Sequence, residues 1–408
     1  MLKVLTINWS RDGGSIAEII KNIEERLNTK CQFYHCYQVG GPAGENEYRV
    51  ASWNVTRFYY LLARLVGIKY GIGNLPTLGT LNYIRKVNPD IVHVHCPNFY
   101  NLNIYMLFEY LKKYQIPTVI TNHAEFYYTG NCPHAFDCKG YQTGCKKCSH
   151  VFDRTHRYLF NRTAYEWKKM KFSFDNADHF AFTVVSEWQK RRIATSPIVG
   201  NIPVYLIENA VNTDIFNRRE VLEKQKYLLP GYEHIVLHVT SNFSDNIHDP
   251  KGGYYLFEAA RRCPQYQFIV AGPFYIKDIP AIPHNVKMIG NIADKKELGD
   301  LYNIADLTVL TSKRETFGMS CAESLCCGTP VVAFESGGTE TIALHEYSKF
   351  VKYGDVEALV KSITEMIGMK KQCTETVESR AREKYTVKTM TSKYYQLYLK
   401  MLEKCADS

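Results

Sequence analysis

Apolar and polar positions along this chain alternate between two rhythms. Short β-rich runs, Lys3–Ile7, Asp90–His95, Pro117–Thr121 and Phe180–Ser186, have the length and composition of strands. Between them the apolar residues return at helical spacing, as in Ile16–Leu27 after the turn Asp12-Gly13-Gly14-Ser15, and in Glu187–Ile193. A second series follows: Val204–Ile207, Ile235–Val239, Gln267–Ala271, Val286–Ile289, Leu307–Leu310 and Val331–Ala333. Strands alternating with helices predict parallel sheets with right-handed crossovers. The expected fold class is α/β, with two doubly wound Rossmann-like domains facing a cleft. Ser196–Pro203 is the expected linker, which gives domains at 1–200 and 201–382. Residues 383–408 close the chain, with Tyr394, Leu397, Tyr398 and Met401 marking one helix from about Glu383 to Lys404.

Length agrees with two cores, because 408 residues exceed what one ordinary core holds. The net charge of +9, from 50 basic and 41 acidic residues, suits anionic lipids, pyrophosphates or nucleic acid and does not choose among them. No uncharged apolar run of about 18 residues occurs, so no spanning helix is expected. The N-terminus is too short for a signal peptide and has the pattern of a strand. Thirteen cysteines in such a chain point to reduced thiols or a metal, and to a cytoplasmic protein.

Chemistry concentrates in residues 312–338. Glu315 lies in the loop after the run Asp306–Thr311, and Glu323 on the short helix Met319–Cys327, which Gly328 terminates and Pro330 prevents from continuing. A carboxylate accepts two hydroxyls at once, as a sugar diol requires. The N–H groups near Gly318, Met319 and Ser320 open a helix, which favours phosphate oxygens. Gly337-Gly338, before Thr339–Leu344, offers a second such terminus. In open parallel sheets, ligands bind at the carboxyl ends of strands. The Glu315 segment and the Gly13-Gly14 turn both lie at such ends and are expected to face each other across the cleft.

The order Glu315-x7-Glu323, with Phe317-Gly318 after the first acid and Gly328-Thr-Pro-Val-Val after the second, resembles the signature of family 4 retaining glycosyltransferases. The likeness covers nearly the whole chain and implies the GT-B arrangement, in which the last helix crosses back to the N-terminal domain. It further implies a donor site of Gly13, Gly14, Asn242, Lys251, Arg314, Glu315, Phe317, Gly318, Met319, Ser320 and Glu323, with His123, Glu315 and Lys251 as catalytic residues. Lys251-Gly252-Gly253 corresponds to the family's diphosphate-binding lysine, and Thr121-Asn122-His123 to its Thr-x-His. The family's arginine shortly before that lysine is missing: Ser241-Asn242-Phe243-Ser244-Asp245 stands there, with Arg314 as the candidate substitute. Asn209-Ala210-Val211-Asn212…Phe216 resembles the family's Asn-Gly-Val-Asp…Phe. The implied function is retaining transfer from a nucleotide diphosphate sugar, with UDP the expected nucleotide, to a glycan or lipid-pyrophosphate-linked acceptor in surface polysaccharide synthesis, without a catalytic metal. A nucleotide-sugar 2-epimerase on the same architecture is the nearest alternative. A zinc-containing, non-catalytic nucleic-acid binder is the second; scattered basic residues and the lack of a nucleic-acid module argue against it.

Two segments lie outside that scheme. Cys132-x5-Cys138-x6-Cys145-x2-Cys148, inside the Gly- and Lys-rich loop 128–150, has the number and compactness of a structural Zn²⁺ site. Paired disulfides or free thiols are the other readings. The loop is similar to the cysteine-rich insertion of exopolysaccharide and colanic acid (WcaC-type) glycosyltransferases. The basic, aromatic stretch Arg57–Tyr70 fits either a core-packed helix or an interfacial helix on anionic lipid, the latter placing the protein peripherally at the inner face of a membrane.

Overall fold

The structure is a computed structural model, which describes residues 1–150, 159–221, 224–276 and 282–406; the side chains of 371–374 and 406 are not described. Residues 407–408, the tip of the expected closing helix, lie outside the described residues. Two compact units are present: Met1–Glu208 together with Met390–Ser408, and Asn209–Thr389.

The first unit holds β1 (Leu2–Ser10), β2 (Cys31–Val39), β3 (Glu47–Arg49), β4 (Ile91–Val94), β5 (Thr118–Asn122), β6 (Phe180–Val184) and β7 (Val204–Leu206), in the order β3-β2-β1-β4-β5-β6-β7, and every pairing is parallel. Helices cover both faces of such a sheet, so its central strands are continuously apolar and do not alternate. Val4, Leu5 and Ile7 of β1, and Ile91, Val92 and Val94 of β4, are fully buried. The helix Ser15–Leu27 turns Ala17, Ile19, Ile20, Ile23 and Leu27 inward, an i, i+3, i+4 stripe, and leaves its charged residues outside.

The second unit repeats the scheme with β8 (Ile235–Val239), β10 (Gln267–Ala271), β12 (Val286–Gly290), β13 (Leu307–Leu310), β14 (Val331–Phe334) and β15 (Ser348–Val351), in the order β12-β10-β8-β13-β14-β15. A two-stranded ladder, β9 (Phe243–Ser244) with β11 (Phe274–Tyr275), stands beside it. In both sheets the strand order reverses beside the first strand. That reversal opens a crevice at the carboxyl ends of β1 and β4, and another at those of β8 and β13.

Two boundaries differ from the sequence expectation. Val204–Leu206 pairs with β6 and closes the first sheet. The supposed linker before it buries Ile198, Val199 and Ile202 in the first core, so the division falls after Glu208 and not at 200. The closing segment is not one helix either. Lys370–Lys384 and Val387–Ala406 are separate helices, broken at Tyr385-Thr386, where Val211 N–H donates to the Tyr385 carbonyl and Val211 bridges Thr386. From Met390 onward, the last helix belongs to the first unit. It buries Tyr394, Leu397, Tyr398 and Met401.

Candidate active site

The second unit gathers most of the expected residues at the β8/β13 crevice. Beyond Leu310 the chain runs Thr311–Glu315. Glu315 N–H then donates to Ser336 O at 3.0 Å, and Gly338 N–H to Glu315 O at 2.8 Å, so the loops after β13 and β14 run side by side. Glycine makes that approach feasible. A Cβ on Gly338 would sit 2.1 Å from the Thr316 carbonyl oxygen, and one on Gly252 2.1 Å from that of Thr311. Gly318, at φ +94°, caps the eight-residue helix Met319–Cys326 in a left-handed conformation that favours glycine. The first amides of that helix have no carbonyl a turn earlier to bond, and present positive ends at the crevice.

Lys251 Nζ donates to Glu315 Oε1 at 2.7 Å, with both side chains about one-third exposed. An ion pair this open contributes about 1 kcal/mol or less, so an incoming anion can draw the lysine away at little cost. Asp249 shapes the lysine's loop: its Oδ1 accepts from Lys251 N–H at 2.8 Å, and Asn242 Nδ2 approaches its Oδ2 at 3.5 Å. Asn242 is thus half-buried against Asp249 and supplies no positive charge where the family's arginine stands. Arg314 directs Nη1 toward Ser336 O at 3.4 Å, bracing the loop after β14.

Glu323 is buried on its helix, and its Oε2 accepts from the Tyr302 hydroxyl at 3.0 Å. Burial, and then the Glu323 charge, pushes the Tyr302 hydroxyl well above the phenol range, which keeps it a donor. Ser320 also bonds that hydroxyl. Phe317 is buried, its ring edge-on to Tyr385, and so packs the loop from beneath. Gly337 needs correction as a second anion-binding terminus. The helix it precedes, Gly338–Ile342, has five residues, and Glu340 reaches back to accept from the N–H groups of Ser336 and Gly337. Those donors are already occupied.

In the first unit, Gly13 and Gly14 follow β1. Gly14, at φ +87°, caps the helix Ser15–Leu27, and a Cβ added there would meet nothing within 4 Å. Across the crevice, His93 and His95 on and after β4 and His123 after β5 form a ring cluster. The His93 and His95 rings lie 3.8 Å apart, and His95 Nδ1 lies 3.1 Å from His123 Nε2. His93 bonds Tyr398 OH at 2.7 Å and Thr121 Oγ1 at 2.8 Å. Burial drives His93 and His123 down to about 3 and His95 well below its ordinary value, so all three are neutral at pH 7.

The four loop cysteines are free thiols. All four line one cavity of about 50 Å³, beside Lys147 and Thr163. Burial, followed by the neighbouring thiols, pushes Cys132 and Cys145 up to about 12. Sequence reasoning missed Tyr302, Asp249 and Glu340. Tyr302 lies a whole strand before Glu323 and carries no motif. Asp249 could have been found in Asp249-Pro-Lys-Gly-Gly, since an acid two residues before a helix-opening Lys-Gly-Gly is placed to hold the turn.

Two Rossmann-type units, one presenting this pair of glutamates, a lysine and a glycine-capped helix at its switch point, define the GT-B class of glycosyltransferase. Two family models match in succession, Glycosyltransferase Family 4 over residues 32–215 and Glycosyl transferases group 1 over residues 240–384, and the chain belongs to the family 4 glycosyltransferases. Among curated relatives, the Escherichia coli K12 protein named as the colanic acid biosynthesis glycosyl transferase WcaC is 23% identical over 332 residues, covering 77% of each chain. The D-inositol 3-phosphate glycosyltransferase of Xylanimonas cellulosilytica is 29% identical over 115 residues, 26% of this chain and 28% of that protein, so the match spans little more than a quarter of that relative's length. Among solved structures, the sucrose-phosphate synthase of Thermosynechococcus elongatus has a TM-score of 0.68 at 16% identity, covering 99% of this chain and 100% of that one. Anabaena Alr3699/HepE in complex with UDP and glucose has a TM-score of 0.65 at 15% identity, covering 97% and 99%. At such identities these likenesses concern the fold.

Proposed function

We propose that this chain transfers a sugar, with retention, from a nucleotide diphosphate sugar to a glycan or lipid-linked acceptor in surface polysaccharide synthesis. The observation that carries the proposal is the constellation of Lys251, Glu315, the Gly318-capped helix and Glu323 at one switch point. Glu323 takes the ribose diol, its carboxylate already oriented by Tyr302. Glu315 and the amides after Phe317 take the sugar hydroxyls. Lys251 leaves Glu315 for the diphosphate and, with those amides, meets the charge that grows on the leaving group, which is the largest electrostatic demand of the reaction. No protein nucleophile is assigned; the outgoing phosphate accepts the acceptor's proton. The family's roles for His123, as a sugar contact, and for Gly13 and Gly14, as backbone close to ligand, are carried over on resemblance. UDP is the proposed nucleotide, consistent with the Anabaena protein crystallised with UDP.

The test is turnover of UDP-, GDP- and ADP-sugars. Lys251→Ala is expected to lower kcat about 100-fold, the scale of losing one transition-state charge contact. Glu323→Ala is expected to weaken nucleotide affinity about 10- to 100-fold, the loss of hydrogen bonds to a charged group. Unchanged nucleotide affinity in Glu323→Ala, or wild-type turnover in Glu315→Ala, rules the assignment out.

A peripheral contact with anionic lipid is part of the same proposal. The helix Trp53–Val66 turns only Thr56 and Ala63 fully inward and exposes Trp53, Phe58, Leu61 and Leu65. From Tyr48 to Pro89 the chain carries Arg49, Arg57, Arg64, Lys69, Arg85 and Lys86, and no acid. Exposed Trp53 and Phe58 on a helix that also carries exposed Arg57 complement an anionic bilayer, each cation near its surface adding about 1 kcal/mol. No helix among the described residues is long and apolar enough to cross a membrane. Sedimentation with phosphatidylglycerol vesicles, lost in high salt or in R57E/R64E, is the expected result. Equal partition onto neutral phosphatidylcholine vesicles removes the electrostatic part of the idea.

A further inference from the structure

The cysteine loop has no part in the transfer chemistry, yet its construction is specific. Leaving the four-residue helix Phe126–Thr129, the chain makes one 3₁₀ turn, Gly140–Gln142, before Cys148 and uses left-handed backbone at Gly130, Phe136, Gly144 and Cys145. A segment so poor in repeating hydrogen bonds has little secondary structure to order it. Ala135 and Tyr141 anchor it in the core of the first unit, and polar contacts add to that hold. Ala135 N–H donates to buried Glu125, Trp167 Nε1 donates to Tyr141 O at 2.7 Å, and Thr163 Oγ1 donates to Cys145 O at 3.1 Å. Inward, Cys132, Cys138, Cys145 and Cys148 converge on the same small cavity from three separate turns of chain.

We propose that these four thiols bind one structural Zn²⁺, which fixes the loop that follows the His123 strand end. The donor set fits the ion: four sulfurs, the last two spaced Cys-x2-Cys, make a closed tetrahedral site without an open position for substrate. A tetrathiolate zinc centre carries a net charge of −2, and the neighbouring chain answers that charge. Lys139, Lys146 and Lys147 alternate with the ligands in sequence, and Lys147 lines the cavity. A backbone donor is also in place, Gly140 N–H pointing at Cys138 Sγ at 3.4 Å, the kind of outer contact that supports a thiolate ligand. Among the described residues no group of three or more His, Cys, Asp or Glu side chains is already arranged to hold a metal, so the four thiols have to move together as they take up the ion. Each thiol gives up its proton in doing so, so four protons leave as four Zn–S bonds form.

Metal analysis of the full chain, purified without chelator, is expected to give one zinc per chain. Cobalt in its place should give the intense thiolate-to-metal absorption of a tetrahedral sulfur site. Cys138→Ser and Cys148→Ser should each lose the metal, while Cys263→Ser, buried in the other unit, keeps it. Because a loop variant could fail to fold, the unmodified chain is also stripped with a chelator. Four thiols should become reactive on stripping and be protected again by added zinc. Less than a tenth of an equivalent of zinc, no cobalt spectrum, or loss of thiol titre to disulfides each overturns the proposal.

Discussion

Tyr302 decides how Glu323 is presented. A buried carboxylate is costly unless donors surround it, and the phenol hydroxyl at 3.0 Å is one of them. Tyr302→Phe removes that donor while the ring stays packed against Phe216. Stability is expected to fall by about 1–3 kcal/mol, the cost of leaving a buried charged group under-bonded, and nucleotide affinity to fall with it. Urea unfolding and a UDP titration on the same variant measure both; a variant that matches wild type in both would show that Glu323 is oriented by something else. At this scale the sequence was informative where order carries meaning. Glu315 and Glu323 stood out because a turn, a helix start and a Gly-Thr-Pro stop surround them at fixed spacing. Tyr302 was silent, because its partnership with Glu323 exists only once β13 has brought two helices together.

The elements of the second unit meet through glycines, which makes their loops brittle in a predictable way. Gly338→Ala would force a methyl group against the backbone of Thr316, where no flexible side chain can yield. Such overpacking costs about 1–3 kcal/mol, and the shift would pull Glu315 O off the Gly338 amide. Melting temperature and donor turnover should therefore drop together. Gly14→Ala is the contrast. Its space is open and only the backbone conformation, φ +87° with an extended ψ, resists, so a loss of about 1–3 kcal/mol in stability is expected from backbone strain alone. If Gly338→Ala melts like wild type, the two loops are not locked as described. Strand and helix order was legible from apolar rhythm, because each central strand is buried on both faces. The two boundary errors share a cause. Ser196-Pro197 and Gly200 look like linker punctuation, and Glu383–Lys404 keeps an unbroken helical spacing. What overrides each is tertiary: burial of Ile198, Val199 and Ile202 in one case, and the Val211 bridge to Thr386 in the other.

Over the whole molecule, buried neutral histidines set the response to acid. His93 and His123 in the first unit are held down to about 3, and His238 in the second to about 4, in each case chiefly by burial. His238 donates from Nδ1 to Val309 O at 2.8 Å, while His93 lies between Tyr398, Thr121 and His95. An unfolded histidine titrates near 6.5. Between that value and the folded one, the unfolded chain binds more protons, so stability rises with pH across this window and is lost as the pH falls. At pH 5 each independently titrating histidine of this kind costs about 2 kcal/mol, from roughly 1.5 pH units at 1.36 kcal/mol each. Glu24 and Glu47 are held below the ordinary carboxylate range, so their contribution is lost only at lower pH. The interval from pH 6.5 to 5 thus isolates the histidines. Urea midpoints should decline through it, and His238→Asn, whose amide can still donate to Val309 O, should flatten the decline for the transition of the second unit. Midpoints that stay level from pH 7 to 5 would mean that these imidazoles are solvated in the folded chain, and that the buried networks around His93 and His238 are looser than their geometry indicates.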